Sequence, residues 1–68
     1  MSPTPRQLGH RVASRRKAKG WSRYRLATEV GISRNYVGQI ETGHSSPTVE
    51  MLQKIAQALG VPVTALLS

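Results

Sequence analysis

The chain has 68 residues, no cysteine and no aspartate, and ten Lys and Arg residues against three Glu give it a formal net charge of +7. A chain of this length forms one small domain that buries only about 60% of its unfolded surface, which leaves little room for a catalytic cleft. Disulfides and thiolate metal sites are excluded, and three glutamates with two histidines are a poor basis for acid–base or nucleophilic catalysis, so we expect no catalytic residues, no metal site and no cofactor.

The first predicted element begins at a capping sequence. In TPRQL, Thr4 is an N-cap, Pro5 takes the first helical position and Gln7 the third, which is the capping-box pattern. This helix is expected to run from about Pro5 to Lys19, because Gly20 follows as a C-terminal stop signal.

Two short helices are predicted next. Ser22 caps the first of them and Gly31 ends it, whereas Ser33 caps the second and Gly43 ends it. Two short helices joined by a tight turn through a glycine form the helix-turn-helix arrangement.

The C-terminal part of the chain predicts a longer helix and a short last one. Thr48 caps the helix in SSPTVEMLQKIAQALG, apolar residues follow at helical spacing, and Gly60 closes it. No segment alternates in the manner of a strand, so the predicted fold is all-α, with residues 1–4 a flexible tail and residues 5–68 a single domain. The last segment, VPVTALLS, carries apolar residues that either close the core or form a seam between two copies: Val63, Leu66 and Leu67.

The third helix has one apolar and one polar face. At roughly 100° per residue, Val37 and Ile40 lie opposite the polar side chains. In the major groove Arg pairs with guanine, and Asn or Gln with adenine. Gly38 costs about 1 kcal/mol relative to Ala inside a helix, so it is either a point of close approach to DNA or merely tolerated. The polar face therefore predicts base-reading residues: Arg34, Asn35, Gly38 and Gln39.

The basic residues are concentrated in one region. Nine of the ten lie between residues 6 and 34, where Glu29 is the one acidic residue, and this favours a polyanionic partner over a generally solvated surface. Arg23 and Arg25 begin the second helix, where the helix dipole disfavours cations. A DNA phosphate bound there would accept backbone N–H bonds and neutralise both, so both are predicted to contact phosphate.

Three stretches, LGHRVASRRKAKGWS, RLATEVGISRNYVGQIETG and SPTVEMLQKIAQALGV, resemble the lambda-repressor/Cro-like helix-turn-helix family of DNA-binding regulators in order and spacing. The resemblance implies a compact five-helix domain whose third helix reads DNA. It implies a structural ion pair between Arg16 and Glu41. It also implies further phosphate contacts: Ser22, Tyr36, Thr42 and His44.

The chain departs from the family pattern at several positions. Arg23 stands where the family usually has Gln, and Tyr24 and Arg25 stand where acidic residues are common. Arg15 falls where the family usually has an aliphatic core residue, and we expect the aliphatic stem of its side chain to follow the apolar surface.

These features predict a transcriptional regulator, by preference a repressor, that binds double-stranded DNA as a homodimer on an inverted repeat with half-sites about one helical turn apart. No apolar run approaches the roughly 18 residues of a membrane span, so a cytoplasmic protein is expected. With no small-molecule effector domain predicted, regulation would come from abundance or a protein partner, as suits phage repressors, restriction controllers and antitoxins. The alternative is a DNA-binding or protein-interaction module of low sequence specificity, whose affinity depends steeply on salt.

Overall fold

Five α-helices account for most of residues 3–68, which the computed structural model describes. The predicted all-α fold is confirmed, and the helices form a globule measuring 30 × 23 × 20 Å. Met1 and Ser2, which belong to the predicted tail, lie outside the described residues. The helices are α1 (Pro5–Ala18), α2 (Arg23–Val30), α3 (Arg34–Glu41), α4 (Val49–Leu59) and α5 (Thr64–Leu67).

Side-chain caps fix the start of the first four helices. The capping box of α1 is complete, because Thr4 Oγ1 accepts from the Gln7 N–H at 3.1 Å and Gln7 Oε1 accepts from the Thr4 N–H at 2.9 Å. Ser22, Ser33 and Thr48 each accept the backbone N–H three residues later, at 3.0 to 3.1 Å. The N-caps predicted from the sequence are therefore those that the structure uses.

The turn between α2 and α3 depends on one glycine. Gly31 has a φ of +85°, in the left-handed region that other residues rarely adopt. Its N–H donates to the Ala27 carbonyl at 2.8 Å and closes α2, while Ser33 opens α3 two residues later. The turn brings the start of α2 and the outer face of α3 onto one side of the molecule.

All five helices contribute to one apolar core. Leu66 of α5 is fully buried, and Val63 and Leu67 are partly buried against the same core, so the last helix closes the domain. Arg15 is exposed and lies outside the core. Arg15 is therefore a surface residue of this chain, although the family usually has an aliphatic core residue at this position, and α1 turns other residues inward. These residues are Leu8, Gly9, Val12 and Arg16.

The backbones of α1 and α3 approach closely at Gly9. A Cβ atom on Gly9 would lie 2.1 Å from the Ile40 carbonyl oxygen and 2.6 Å from that of Glu41. The missing side chain therefore lets α1 pack directly on the last turn of α3. Two residues further along α1, Arg11 Nη1 donates to the Leu66 carbonyl at 3.2 Å and joins α1 to α5.

Candidate nucleic-acid interface

The start of α2 and the outer face of α3 form an open groove of about 630 Å³, which we call the recognition groove. It brings together all four residues predicted to read bases and three of those predicted to contact phosphate. Its lining residues are Ser22, Arg23, Tyr24, Arg34, Asn35, Gly38, Gln39 and Thr42.

The polar face of α3 is free to bind. Val37 and Ile40, on the opposite face, are each only 1% exposed, so they fix the rotation of the helix against the core. Arg34, Asn35 and Gln39 are exposed, and within residues 3–68 their side chains make no hydrogen bond to the protein. This face of α3 therefore presents one guanidinium and two amides whose donors and acceptors are available to a ligand.

A buried carboxylate lies beneath this face. Glu41, whose side chain is 1% exposed, accepts two hydrogen bonds from Arg16: Nε to Oε2 at 2.7 Å and Nη2 to Oε1 at 3.0 Å. The third donor of Arg16, Nη1, bonds the Trp21 carbonyl at 2.7 Å. The ion pair that the resemblance implied is thus present in the structure and joins α1 to the end of α3.

The same carboxylate also binds Arg23, which the sequence did not predict. Arg23 Nε donates to Glu41 Oε1 at 2.9 Å, while the Arg23 side chain stays 43% exposed. The guanidinium lies over Gly38, because a Cβ built there would be 3.4 Å from Nη1 and 3.9 Å from Cζ. Arg23 therefore has an acceptor within the protein, at a carboxylate that it shares with Arg16, so its position at the start of α2 does not by itself require a phosphate.

Arg25 has partners of its own outside the groove. Its Nε donates to Glu29 Oε2 at 2.9 Å, one helical turn later, and its guanidinium lies 4.7 Å from the centre of the Trp21 ring. Lys19 Nζ also lies over this ring, at 4.8 Å. Glu29 gives Arg25 an acidic partner, and Arg23 shares Glu41 with Arg16, which weakens the argument from the helix dipole for both arginines.

The other residues predicted to contact phosphate lie at the end of α3 and beyond it. Thr42 Oγ1 donates to the Gly38 carbonyl at 2.8 Å and lies 2.8 Å from His44 Nδ1, and both side chains are exposed. Tyr36 is half-buried against the core and does not line the groove. Tyr24, which was noted only as a departure from the family, lines the groove and is 68% exposed.

Residues 3–68 show neither a metal-binding cluster nor a membrane-spanning helix. No group of three or more His, Cys, Asp or Glu side chains is close enough together to hold a metal ion. None of the described helices combines the length and the apolar character needed to cross a membrane.

Comparison with known proteins places the chain in a family. The helix-turn-helix family model matches residues 12–66. The transcriptional regulator SutR of Escherichia coli K12 is 43% identical over 68 residues, which are 100% of this chain and 38% of SutR. The chain thus spans well under half the length of that relative.

Solved structures agree with this result. The restriction-modification controller protein C.AhdI of Aeromonas hydrophila superposes with a TM-score of 0.89 and 34% identity, over 91% of this chain and 94% of that one. SinR, a master regulator of biofilm formation crystallised in complex with DNA, superposes with a TM-score of 0.82 and 33% identity, over 87% of this chain and 95% of that one. The chain belongs to the helix-turn-helix family, in its lambda-repressor/Cro-like form.

Proposed function

We propose that the chain is a transcriptional regulator that binds double-stranded DNA and reads the major groove with α3. One observation carries the proposal: Arg34, Asn35 and Gln39 share an exposed face of α3 on which they have no protein hydrogen-bond partner. These are the side-chain types that recognise guanine and adenine edges in the major groove. The regulators SutR and SinR, and the crystal structure of SinR with DNA, support the same function.

Phosphate contacts would surround this face. The helix α2 begins in the groove, and its first backbone N–H groups have no helical acceptor, so they suit a phosphate. Ser22 lies at this N-terminus, Thr42 and His44 follow α3, and Arg25 and Tyr36 belong to α2 and α3 outside the groove lining. In this proposal these residues set the position of the protein on DNA, and α3 supplies the sequence preference.

We further propose that the protein acts as a repressor in the cytoplasm and binds an inverted repeat as a homodimer. Two copies related by a two-fold axis would place two α3 helices in successive major grooves about one helical turn apart. No catalytic function is assigned, because the ionisable residues that line the groove are Tyr24 and two arginines, which do not form a pair of acid and base groups.

The test is selection from a random pool of double-stranded DNA with the purified protein at near-physiological salt. We expect an enriched palindrome whose spacing reports the geometry of the dimer. Arg34→Ala should then weaken binding by about 1–3 kcal/mol and relax the preference at one base position. Retention of DNA without any enriched sequence would instead support the low-specificity module, in which affinity falls steeply with salt and no base matters.

A further inference from the structure

Arg23 occupies an unusual place in the recognition groove. It belongs to α2, yet its guanidinium lies across α3, with Nη1 at 3.4 Å from the point where a Gly38 side chain would begin. Gly38 lies on the same face as Arg34 and Gln39, the residues proposed to read bases. The middle of this exposed face of α3 therefore presents the guanidinium of an α2 residue, because Gly38 has no side chain of its own.

The guanidinium is held in a defined orientation. Its Nε donates to Glu41, a carboxylate that is itself 1% exposed and is held by Arg16. Within residues 3–68, Nη1 and Nη2 of Arg23 donate to no protein acceptor. Arg16 is different, because its Nε, Nη1 and Nη2 all donate to protein acceptors. Arg16 is thus a structural arginine, whereas Arg23 keeps two terminal donors for a ligand.

We propose that Arg23 is a specificity-determining residue that reads a guanine edge across Gly38, and that Glu41 is the residue that positions it. This inference rests on the proposed function. It replaces the phosphate contact predicted for Arg23 from the sequence.

The geometry favours a base edge over a phosphate. Arginine binds a phosphate or the O6 and N7 atoms of guanine through the same planar pair of donors, so the position of that pair decides: it lies over Gly38, beside the residues proposed to read bases. The bond from Nε to Glu41 leaves a terminal pair of donors in a fixed plane. Glu41 is already bound by Arg16, so the three-residue cluster keeps a net positive charge toward DNA.

The test compares Arg23→Lys with wild type by selection from the same random double-stranded pool. Lysine keeps the charge for a phosphate but lacks the planar pair of donors. We expect wild type to require a G·C pair at one position of each half-site, and the variant to lose that preference and keep the others. Binding of the variant to the wild-type sequence should fall roughly 5- to 150-fold, with a much smaller loss on DNA already substituted at that position.

Arg15→Lys is the matched control, because it makes the same chemical change at an exposed arginine outside the groove. It should leave the selected sequence unchanged. Thermal unfolding followed by circular dichroism should show both variants folded, since Arg23 is partly exposed and Glu41 keeps both bonds from Arg16.

The outcomes separate the two proposals. Suppose that wild type selects a sequence and that Arg34→Ala alters it. If Arg23→Lys then selects the wild-type sequence and loses affinity equally on all DNA, Arg23 contacts phosphate and the inference is wrong. If wild type selects no sequence at all, the proposed function fails and the inference fails with it.

Discussion

Two glycines in helix interiors should respond in opposite ways to the same substitution. Gly9 lies inside α1 and Gly38 inside α3, so alanine should gain about 1 kcal/mol of helix propensity at either position. The surroundings differ. At Gly9 the new Cβ would meet main-chain carbonyl oxygens of α3, whereas at Gly38 it would meet only the end of the Arg23 side chain.

The loss in free energy of unfolding expected for Gly9→Ala follows from these distances. The Cβ would lie 2.1 Å from the Ile40 oxygen, where ordinary contact starts at 3.4 Å, so α1 and α3 must separate locally by about an ångström. Overpacking of a core costs typically about 1–3 kcal/mol, and a backbone obstacle puts this site at the upper end or beyond. After the gain in propensity, we expect a net loss of at least about 2 kcal/mol.

Thermal unfolding measured by circular dichroism tests this prediction. In a domain of this size, 1 kcal/mol shifts Tm by roughly 4–8 °C, so Gly9→Ala should lower Tm by roughly 8–16 °C or more. Gly38→Ala is the control and should raise Tm by a few degrees, because its Cβ makes only an ordinary van der Waals contact, at 3.4 Å, with the end of the Arg23 side chain. A Gly9→Ala variant as stable as wild type would show that the two helices do not approach as closely as the structure has them.

Three further predictions concern ion pairs and caps. Arg16→Met leaves the buried Glu41 bound only to the half-exposed arginine of α2, so urea unfolding should show a loss of about 3–5 kcal/mol, and a loss below 1 kcal/mol would contradict a buried ion pair here. Thr48→Ala should cost about 1 kcal/mol in the same assay while Thr48→Ser costs little, because the hydroxyl caps α4. Glu29→Gln should change stability by less than about 0.5 kcal/mol, with the difference vanishing at high salt, because its pair with Arg25 is exposed on both sides; a large, salt-independent loss would argue against this.

The helix boundaries and the polar face of α3 could be predicted because they depend on local signals. A cap needs only a hydroxyl and a backbone N–H three residues later, so the sequence alone predicts the N-caps Ser22, Ser33 and Thr48. The rotation of α3 follows similarly from the spacing of Val37 and Ile40.

The inward face of α1 was harder to predict, because it depends on how closely another helix approaches. The resemblance placed an aliphatic residue at Arg15, whereas in the structure this residue is exposed and Gly9 is buried. A glycine between Leu8 and Val12 carries a signal, since it weakens the helix unless something needs the space. In the structure the backbone of α3 occupies this space, and the sequence of α1 alone cannot show that another helix approaches so closely.

The partners of the α2 arginines were missed for two different reasons. The bond between Arg25 and Glu29 joins residues four apart on one helix, a spacing that the sequence shows, but the prediction for Arg25 considered only the helix dipole and a phosphate. The bond between Arg23 and Glu41 joins residues eighteen apart on two helices. Because the resemblance already paired Glu41 with Arg16, nothing in the sequence indicated a second arginine at this carboxylate.

Glu41 links the stability of the fold to the geometry of the candidate site. Its Oε1 accepts from both Arg16 and Arg23, so the group that holds α1 to α3 also orients the guanidinium over Gly38. Two arginines on one buried carboxylate leave one positive charge in excess, and only Arg23 exposes that charge to the groove. A substitution at Arg16 on the far side of α3 would therefore change more than stability. We expect Arg16→Met to leave Glu41 to Arg23 alone and so to draw Arg23 inward, away from the exposed face of α3.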